Sequence, residues 1–282
     1  MNILTFDIEE WFHILDNDST RTEREWNQYQ NRIHQNMERI LEMLERKKQK
    51  ATFFCLGWIA RKHPDIIKRI DSCGYEIGTH SDMHQLAYEQ SRKEFESDLD
   101  LSIKSISDIT GKKIRAYRVP GFSITDQNKW VFEVLVEKGI EIDCSIFPAK
   151  RAHGGFEKFG IAEPAIISVR GLKIKEFPVN LYKIGNKNLI FSGGGYFRVL
   201  PYWCIVNFMK KSGYVMAYFH PRDFDAEQPM IEELSLVRRF KSYYGLKSAF
   251  KKLERLIGDF EFVDLETANQ KVNWENARVI NL

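Results

Sequence analysis

Short apolar runs alternate with longer helical patterns along the first half of the chain. Strand-like runs are predicted at residues 3–8, 51–56, 75–79, 114–119 and 140–145. Between them, apolar residues recur at the spacing of amphipathic helices, in residues 37–44, 58–70, 95–106 and 126–137. Because parallel strands need such crossover helices, this order predicts a parallel α/β sheet.

The pattern changes after Pro148, where glycines separate short alternating segments. Residues 166–169 and 174–179 alternate as strands do, which predicts hairpins and loops inserted into the α/β frame. The frame then resumes with helices near 202–211, 231–240 and 246–257, a strand at 214–219 and a short strand at 260–263 that would close a barrel. We expect a distorted (β/α) barrel of about seven parallel strands, formed by a single domain over residues 1–282 with C-terminal helices and a closing strand in 222–282.

Composition narrows the classes of function. A chain of 282 residues with 43% hydrophobic content can bury the core of a barrel-sized domain. The net charge of +3 and the lack of a long basic run argue against nucleic acid as a partner. No CxxC pair occurs, so neither a zinc ribbon nor a disulfide framework is indicated for Cys55, Cys73, Cys144 and Cys204.

The first residues enter an apolar strand at once, without a basic leader or an apolar signal core. This start predicts a cytoplasmic location. No run approaches the roughly 18 apolar residues that a membrane helix needs, so no transmembrane segment is predicted, although a lipid-linked substrate is compatible with the pattern.

Two histidines four residues apart follow directly on the third predicted strand, in His80-Ser81-Asp82-Met83-His84. One helical turn would place both imidazoles on the same side, and neutral imidazole suits zinc and neighbouring transition metals. By itself the pattern leaves two interpretations open, a metal site or a pair of solvated or core histidines.

Carboxylates end the first strand, where strand periodicity puts Asp7 and Glu9 on one face and Ile8 and Glu10 on the other. Functional groups gather at the carboxyl ends of parallel strands, and three later strands also end in charged or metal-binding side chains, Arg118, Asp143 and His220. These groups are therefore expected on one rim. The structural alternatives are solvated strand-end carboxylates, an ion-pair role for the arginine, a cap for the aspartate and a turn position for the last histidine.

Five motifs in chain order resemble the polysaccharide deacetylases of the NodB-homology type, carbohydrate esterase family four. They are Thr5-Phe6-Asp7, His80-Ser81-Asp82-Met83-His84, Arg118-Val119-Pro120-Gly121-Phe122, Asp143-Cys144-Ser145 and Phe219-His220-Pro221. Together they span residues 5–221. The stretches 145–148 and 191–198 further resemble a branch found among bacterial surface-polysaccharide genes.

The resemblance implies a role for each motif residue. Asp7 would be the general base and His220 the general acid, with Arg118 orienting Asp7 and Asp143 pairing with His220. A divalent metal, expected to be Zn²⁺ or another transition metal, would be held by Glu9, His80 and His84. The family usually has two adjacent aspartates in its first motif, but Ile8 occupies the second place here, so Glu9 takes the ligand role with Glu10 as the fallback.

The same resemblance implies substrate contacts in two loops, at Pro120, Gly121, Phe122, Gly194, Tyr196 and Arg198. The triple glycine 193–195 is not followed by Gly-Lys-Ser/Thr, so a tight turn or a close backbone approach to the sugar is favoured over a phosphate cradle.

The implied function is removal of the acetyl group from the nitrogen of an N-acetylated sugar, in the synthesis of a cell-surface polysaccharide. The sugar would be linked to a nucleotide or a lipid, or be part of an oligosaccharide. Two alternatives stay open: a non-catalytic carbohydrate-binding protein, which Ile8 favours, and a hydrolase of a small amide or cyclic imide.

Overall fold

The computed structural model describes residues 1–15, 17–151, 153–185 and 187–282. Their strands are β1 (Asn2–Ile8), β2 (Thr52–Cys55), β3 (Glu76–Thr79), β4 (Ala116–Tyr117), β5 (Ile142–Asp143), β6 (Ala165–Val169), β7 (Leu172–Glu176), β8 (Tyr182–Ile184), β9 (Lys187–Leu189), β10 (Val215–Phe219) and β11 (Arg278–Asn281). Their helices are α1 (Glu23–Trp26), α2 (Ile33–Lys47), α3 (Gly57–Lys62), α4 (Pro64–Ser72), α5 (Arg92–Thr110), α6 (Trp130–Glu137), α7 (Gly194–Val199), α8 (Tyr202–Lys211), α9 (Leu236–Tyr243), α10 (Leu246–Asp259) and α11 (Leu265–Lys271).

A nine-stranded sheet in the order β10-β1-β2-β3-β4-β5-β7-β6-β11 organises the molecule. The seven strands from β10 to β7 pair in parallel. Six of them are the parallel strands that the sequence predicts, whereas β7 is predicted only as part of an inserted hairpin. The inserted hairpin β6–β7 is antiparallel, and β11 runs parallel to β6 at the edge. The predicted α/β fold with about seven parallel strands is confirmed.

The parallel sheet curls until its two sides approach each other. Asn180, just after β7, accepts a hydrogen bond through Oδ1 from the Met216 amide on β10 (3.0 Å), and the Tyr214 hydroxyl donates to the Pro178 carbonyl (2.7 Å). Among the described residues, side chains rather than a strand ladder bridge this seam. The barrel is distorted at this position.

The two faces of β1 have different surroundings, one apolar and one polar. Leu4, Phe6 and Ile8 lie in the hydrophobic core shared with α2, whereas Thr5 and Asp7 reach the guanidinium of Arg118 on the opposite face. Alternation along a strand produces this division. The polar side chains therefore line the interior of the barrel.

Three predicted elements differ from the structure. The helix expected near 231–240 begins only at Leu236 and ends at Tyr243. The single helix expected over 58–70 is divided into α3 and α4 at Pro64, because proline begins a helix readily but cannot continue one. The closing strand expected at 260–263 is wrong: only Val263 forms a bridge, beside the start of β1, while the strand that the sequence missed, β11, lies at the far edge.

No helix in the described ranges is both long enough and apolar enough to cross a bilayer.

Candidate metal centre and active site

Glu9, His80 and His84 meet after the ends of β1 and β3. One ligand atom from each lies within 4.8 Å of the others, and all three residues are buried. We refer to these three residues as the metal-site cluster. Sequence reasoning expected these side chains to meet, and the structure places them together.

The two histidines come together through a loop, which differs from the helical turn expected from their spacing. Ser81 and His84 have positive φ angles of 70° and 52°. The carboxylate of Asp98 on α5 accepts hydrogen bonds from the amides of Asp82 (2.7 Å) and Met83 (3.0 Å). The loop is therefore fixed from behind by a helix, and a left-handed backbone directs the second imidazole inward.

The orientation of His80 suits a metal ligand. Its Nδ1 lies 2.7 Å from the carbonyl oxygen of Arg118, so a proton on Nδ1 leaves the Nε2 lone pair available. Burial lowers the pKa of His80 to about 4, although the nearby Asp7 carboxylate raises it. The ring is therefore neutral at physiological pH, as metal binding requires.

Glu9 supplies the negative charge of the metal-site cluster. Burial would raise the pKa of Glu9, but the charges of His84 and His220 outweigh burial and hold it well below its usual range. Its buried Oε2 lies 2.6 Å from His84 Nε2 without a well-directed hydrogen bond. Two imidazoles and one ionised carboxylate with an unsatisfied oxygen fit a divalent metal, and catalytic zinc sites use this donor set.

Glu10, the fallback ligand, lies elsewhere. Its Oε1 accepts hydrogen bonds from the amides of Arg32 (2.8 Å) and Ile33 (3.0 Å) at the start of α2. A carboxylate in this position satisfies amides that a helix leaves free. Together with the burial of Ile8 in the core, this shows that only Glu9 of the three residues after Asp7 faces the cluster.

Asp7 is held by a fully buried arginine. Arg118 Nη1 donates to Asp7 Oδ1 (2.8 Å) and to Thr5 Oγ1 (2.8 Å), and its Nε donates to the Cys144 carbonyl (3.2 Å). Burial lowers the pKa of Arg118, but the Asp7 carboxylate outweighs that effect and raises it. The predicted contact between this arginine and Asp7 is present, and it leaves Oδ2 of Asp7 facing the site.

His220 lies beside both carboxylates. Its Nε2 is 3.4 Å from Glu9 Oε1 and 3.8 Å from Asp7 Oδ2, and its side chain is 26% exposed. Although burial lowers the pKa of His220, the carboxylates of Glu9, Asp223 and Asp7 raise it to about 9. The imidazole is therefore protonated at neutral pH and accessible from solvent.

The predicted pairing of His220 with Asp143 is wrong. His220 Nδ1 instead lies 2.9 Å from Asp223 Oδ2, which also accepts from the His220 amide (3.0 Å). Burial raises the pKa of Asp223, but Arg198 and His220 lower it to about 2. Sequence reasoning missed Asp223, although its position three residues after His220, with Pro221 between them, is typical of a capping arrangement.

Asp143 belongs to a second buried group of carboxyls, which we call the carboxyl pair, Asp143 and Glu176. Ser145 Oγ donates to Asp143 Oδ1 (2.5 Å), and Glu176 accepts from the Ile146 amide (3.1 Å). Burial raises the pKa of Asp143 to about 6, and burial together with Asp143 raises that of Glu176 well above its usual range. This pair is protonated to a greater extent than an exposed carboxyl and lies apart from His220.

The predicted substrate loop 120–122 is largely buried. Phe122 packs edge-on against Tyr218 (5.0 Å between ring centroids) and near Phe147 (5.5 Å), so its ring is not available to stack on a sugar. Pro120 is also buried, while Gly121 is partly exposed with φ 65° beside Leu15.

The second predicted substrate segment divides into one exposed and two buried positions. Tyr196 is exposed. Arg198 is buried, with Nε 3.3 Å from Asp223 Oδ1 and Nη1 donating to the Ser242 carbonyl (2.7 Å), so its guanidinium already has protein partners. A Cβ on Gly194 would collide with the Asp223 carboxylate. The close backbone approach expected for the glycines is therefore made to a protein side chain.

A further histidine missed from the sequence packs beside the metal-site cluster. The ring of His13 lies 5.9 Å from that of His84 and 4.3 Å from Trp26. Its Nδ1 accepts from the Glu10 amide (3.3 Å), and burial together with His84 lowers the pKa of His13 well below its usual range. The neutral ring supports His84 from outside the cluster.

Two known families divide the chain between them. Residues 4–140 match the polysaccharide deacetylase family, and residues 144–270 match a domain of unknown function (DUF3473). The first segment contains the metal-site cluster and the second contains His220 and Asp223. Strands from both segments pair in the same sheet.

One curated relative and two solved structures illustrate the similarity. A peptidoglycan-N-acetylglucosamine deacetylase from Bacillus cereus is 29% identical over 103 residues, covering 36% of this chain and 38% of that protein. The chain thus spans well under half of that relative. A Mycobacterium smegmatis protein assigned to the polysaccharide deacetylases has a TM-score of 0.69 and 18% identity, covering 99% of this chain and 92% of the other. A mutant of a carbohydrate esterase family 4 pseudoenzyme from Bacillus anthracis, with restored enzymatic activity, has a TM-score of 0.50 and 15% identity, covering 95% of this chain and 66% of the other.

The structural similarities concern the fold, and the sequence match to the family covers residues 4–140. The narrower surface-polysaccharide branch stays a prediction. Residues 4–140, which contain the first three of the five motifs, match the polysaccharide deacetylase family that the motifs resemble, whereas the fourth and fifth motifs lie beyond the matched residues.

Proposed function

We propose that the protein is a divalent-metal-dependent hydrolase that removes the acetyl group from the nitrogen of an N-acetylated sugar during synthesis of a cell-surface polysaccharide. One observation carries the proposal. His220, whose Nδ1 is held by Asp223, and an arginine-held carboxylate, Asp7, flank the same metal-site cluster, with His220 Nε2 3.4 Å from Glu9 and 3.8 Å from Asp7.

The donor set assigns the metal to Glu9, His80 and His84. An ion held there would polarise the acetamide carbonyl and lower the pKa of water at the site toward about 7. Zinc is the proposed ion because two imidazoles and one carboxylate leave a coordination position open in known catalytic zinc sites.

Asp7 acts as the general base in this proposal. Arg118 occupies Oδ1 and fixes the carboxylate, so Oδ2 is the oxygen that accepts a proton from the attacking water. As the water oxygen bonds to the acetyl carbon, its proton passes to Asp7. Positioning by a buried, bonded arginine keeps this oxygen in place before substrate arrives.

His220 acts as the general acid. Asp223 binds Nδ1, so the proton on Nε2 faces the cluster and is the one donated to the departing nitrogen. The C–N bond breaks as this proton is transferred, which releases acetate and the free amino sugar. The proton taken up by Asp7 is then exchanged through solvent, and His220 is reprotonated.

The departure at Ile8 is compatible with catalysis. Because Ile8 faces the core, its side chain could not reach a metal in this fold, and Glu9 on the other face occupies the vacant ligand role. The presence of Ile8 therefore no longer favours the alternative hypothesis of a non-catalytic carbohydrate-binding protein. A lipid- or nucleotide-linked sugar as the substrate and a cytoplasmic location both stay predictions.

Acetate release tests the proposal directly. Purified protein, stripped of metal and reloaded with zinc, is expected to release acetate from N-acetylhexosamine oligosaccharides or sugar nucleotides and to lose activity again with a chelator. Small amides and cyclic imides run in parallel test the alternative hydrolase. Sugar binding without acetate release from any N-acetylated substrate would contradict the proposal and identify a binding protein.

A further inference from the structure

Helix α9 presents apolar side chains to solvent. None of its residues is buried, and Leu236, Val237 and Phe240 are 82%, 64% and 53% exposed. Tyr244, which follows the helix, is also exposed and packs against Phe240 with ring centroids 4.7 Å apart. A surface helix normally turns its apolar face to the core, so this face has no covering element within the described parts of the chain.

Helix α9 and the residues that follow it up to position 253 carry only positive charge, after the acidic Glu232 and Glu233 that precede the helix. Residues 234–253 contain no aspartate or glutamate, and their basic residues are Arg238, Arg239, Lys241, Lys247, Lys251 and Lys252. Lys241 and Lys247 are exposed beside the apolar side chains. We call Leu236, Val237, Phe240, Lys241, Tyr244 and Lys247 the docking face.

The docking face borders the proposed active site. Arg198 joins the two, since its Nη1 donates to the Ser242 carbonyl at the end of α9 and its Nε lies 3.3 Å from the Asp223 carboxylate that holds His220. On the other side, Arg238 Nη2 donates to the carbonyl of Leu15, whose side chain adjoins Gly121. A surface that binds here would lie beside the segments that carry Gly121 and Tyr196.

We propose that the docking face binds an anionic lipid bilayer. Apolar side chains of a basic amphipathic helix enter the boundary between headgroups and acyl chains, while lysines attract anionic headgroups. A second copy of the chain fits less well, because two faces with the same positive charge repel each other. That this docking delivers a lipid-linked N-acetylated sugar rests on the proposed function, whereas bilayer binding itself does not.

Vesicle sedimentation of the 282-residue chain tests the proposal. The wild type is expected to sediment with vesicles of phosphatidylcholine and phosphatidylglycerol, much less with phosphatidylcholine alone, and less at high salt. Leu236→Ser with Phe240→Ser is expected to weaken partitioning at least tenfold, because both side chains would leave the apolar boundary. Lys241→Gln with Lys247→Gln is expected to weaken it about tenfold on anionic vesicles only.

The matched control is Ile184→Ser with Val279→Ser, two exposed apolar side chains outside the docking face, which should bind like the wild type. Circular dichroism and the unfolding midpoint establish that each variant is folded. Equal binding to both vesicle types, or unchanged binding by the Leu236→Ser/Phe240→Ser variant, would overturn the proposal. A wild-type dimer that this variant converts to a monomer would also overturn it and assign the face to self-association. Acetate release from a water-soluble N-acetylated oligosaccharide is measured separately. It tests the proposed deacetylase function without depending on bilayer binding.

Discussion

The metal-site cluster and the carboxyl pair are both buried, and both lie at or just beyond the last residues of strands in the same sheet, but their charges differ. Burial acts in the same direction on Glu9 and Glu176, raising the pKa of each. Glu9 is nevertheless ionised because histidines surround it, whereas Glu176 holds its proton because its nearest ionisable neighbour is another carboxyl, Asp143. The comparison shows that neighbours rather than depth decide whether a buried carboxylate can bind a cation.

Removing an imidazole from the metal-site cluster should give the largest effect. His80→Ala is expected to lose zinc and to lower kcat/KM for deacetylation by about 10³-fold or more, because polarisation of the carbonyl contributes several kcal/mol. Elemental analysis and acetate release measure both effects. His34→Ala, which alters an exposed histidine paired with Asp65, is the control. If His80→Ala retained zinc and turnover, the metal-site cluster would not be the place where a catalytic metal binds, and its contrast with the carboxyl pair would lose its functional meaning.

Asp7→Asn should separate chemistry from metal binding. The variant is expected to retain zinc, because Asp7 is not a member of the metal-site cluster, while kcat falls by about 10² to 10⁴-fold through loss of the general base. Metal content and kcat are measured on the same preparation. Loss of zinc from Asp7→Asn would instead identify Asp7 as a ligand.

Asp223→Asn and Asp143→Asn test which of the two aspartates supports His220 in catalysis. Asp223→Asn is expected to lower kcat about 10- to 100-fold with little change in KM, because a charged hydrogen bond that holds His220 is worth about 1.5–3 kcal/mol. Asp143→Asn should change kcat less than about threefold. The opposite ranking in steady-state kinetics would restore the sequence-based pairing of Asp143 with His220.

Glu176→Gln should affect stability rather than catalysis. In the wild type, the folded pKa values of the carboxyl pair exceed their unfolded values, so the stability that they contribute is present below about pH 4 and is lost as pH rises through about 6 and above. Removing one carboxyl ends the repulsion, so the free energy of unfolding should decline less over this window, by on the order of 1 kcal/mol. Urea unfolding across this pH range measures the slope, with the exposed Glu163→Gln as control. An unchanged slope would mean that the pair does not hold an extra proton.

Much of the fold was predictable because the spacing of apolar residues along the chain reflects which positions are buried. Six of the seven parallel strands and most crossover helices follow from apolar runs and helical spacing along the chain, whereas β7 is predicted only as part of an inserted hairpin. The edge strand β11 was missed because its residues are mostly exposed and carry little apolar pattern. The break at Pro64 was missed because apolar residues continue at helical spacing on both sides of it.

The candidate site was predictable where a residue lies at or just beyond the carboxyl end of a parallel strand. Asp7, Glu9, His80, Arg118 and His220 meet because parallel strands end at one rim. Asp223, Glu176 and the true partners of Arg198 were not found, since those contacts depend on how loops fold back in space. Asp143 was placed with His220 by family resemblance, but in this chain the capping aspartate Asp223 takes that position.

The loop that carries His80 and His84 has a consequence for how an ion would be acquired. Asp98 secures the amides of Asp82 and Met83, and Arg61 pairs with the Asp82 carboxylate, so the backbone is in position before any cation arrives. Because the loop is already ordered, none of the free energy of ion binding is needed to order its backbone. Loading and release would then be governed by how quickly hydrated ions travel through the mouth of the barrel, and the apoprotein would keep its shape between cycles.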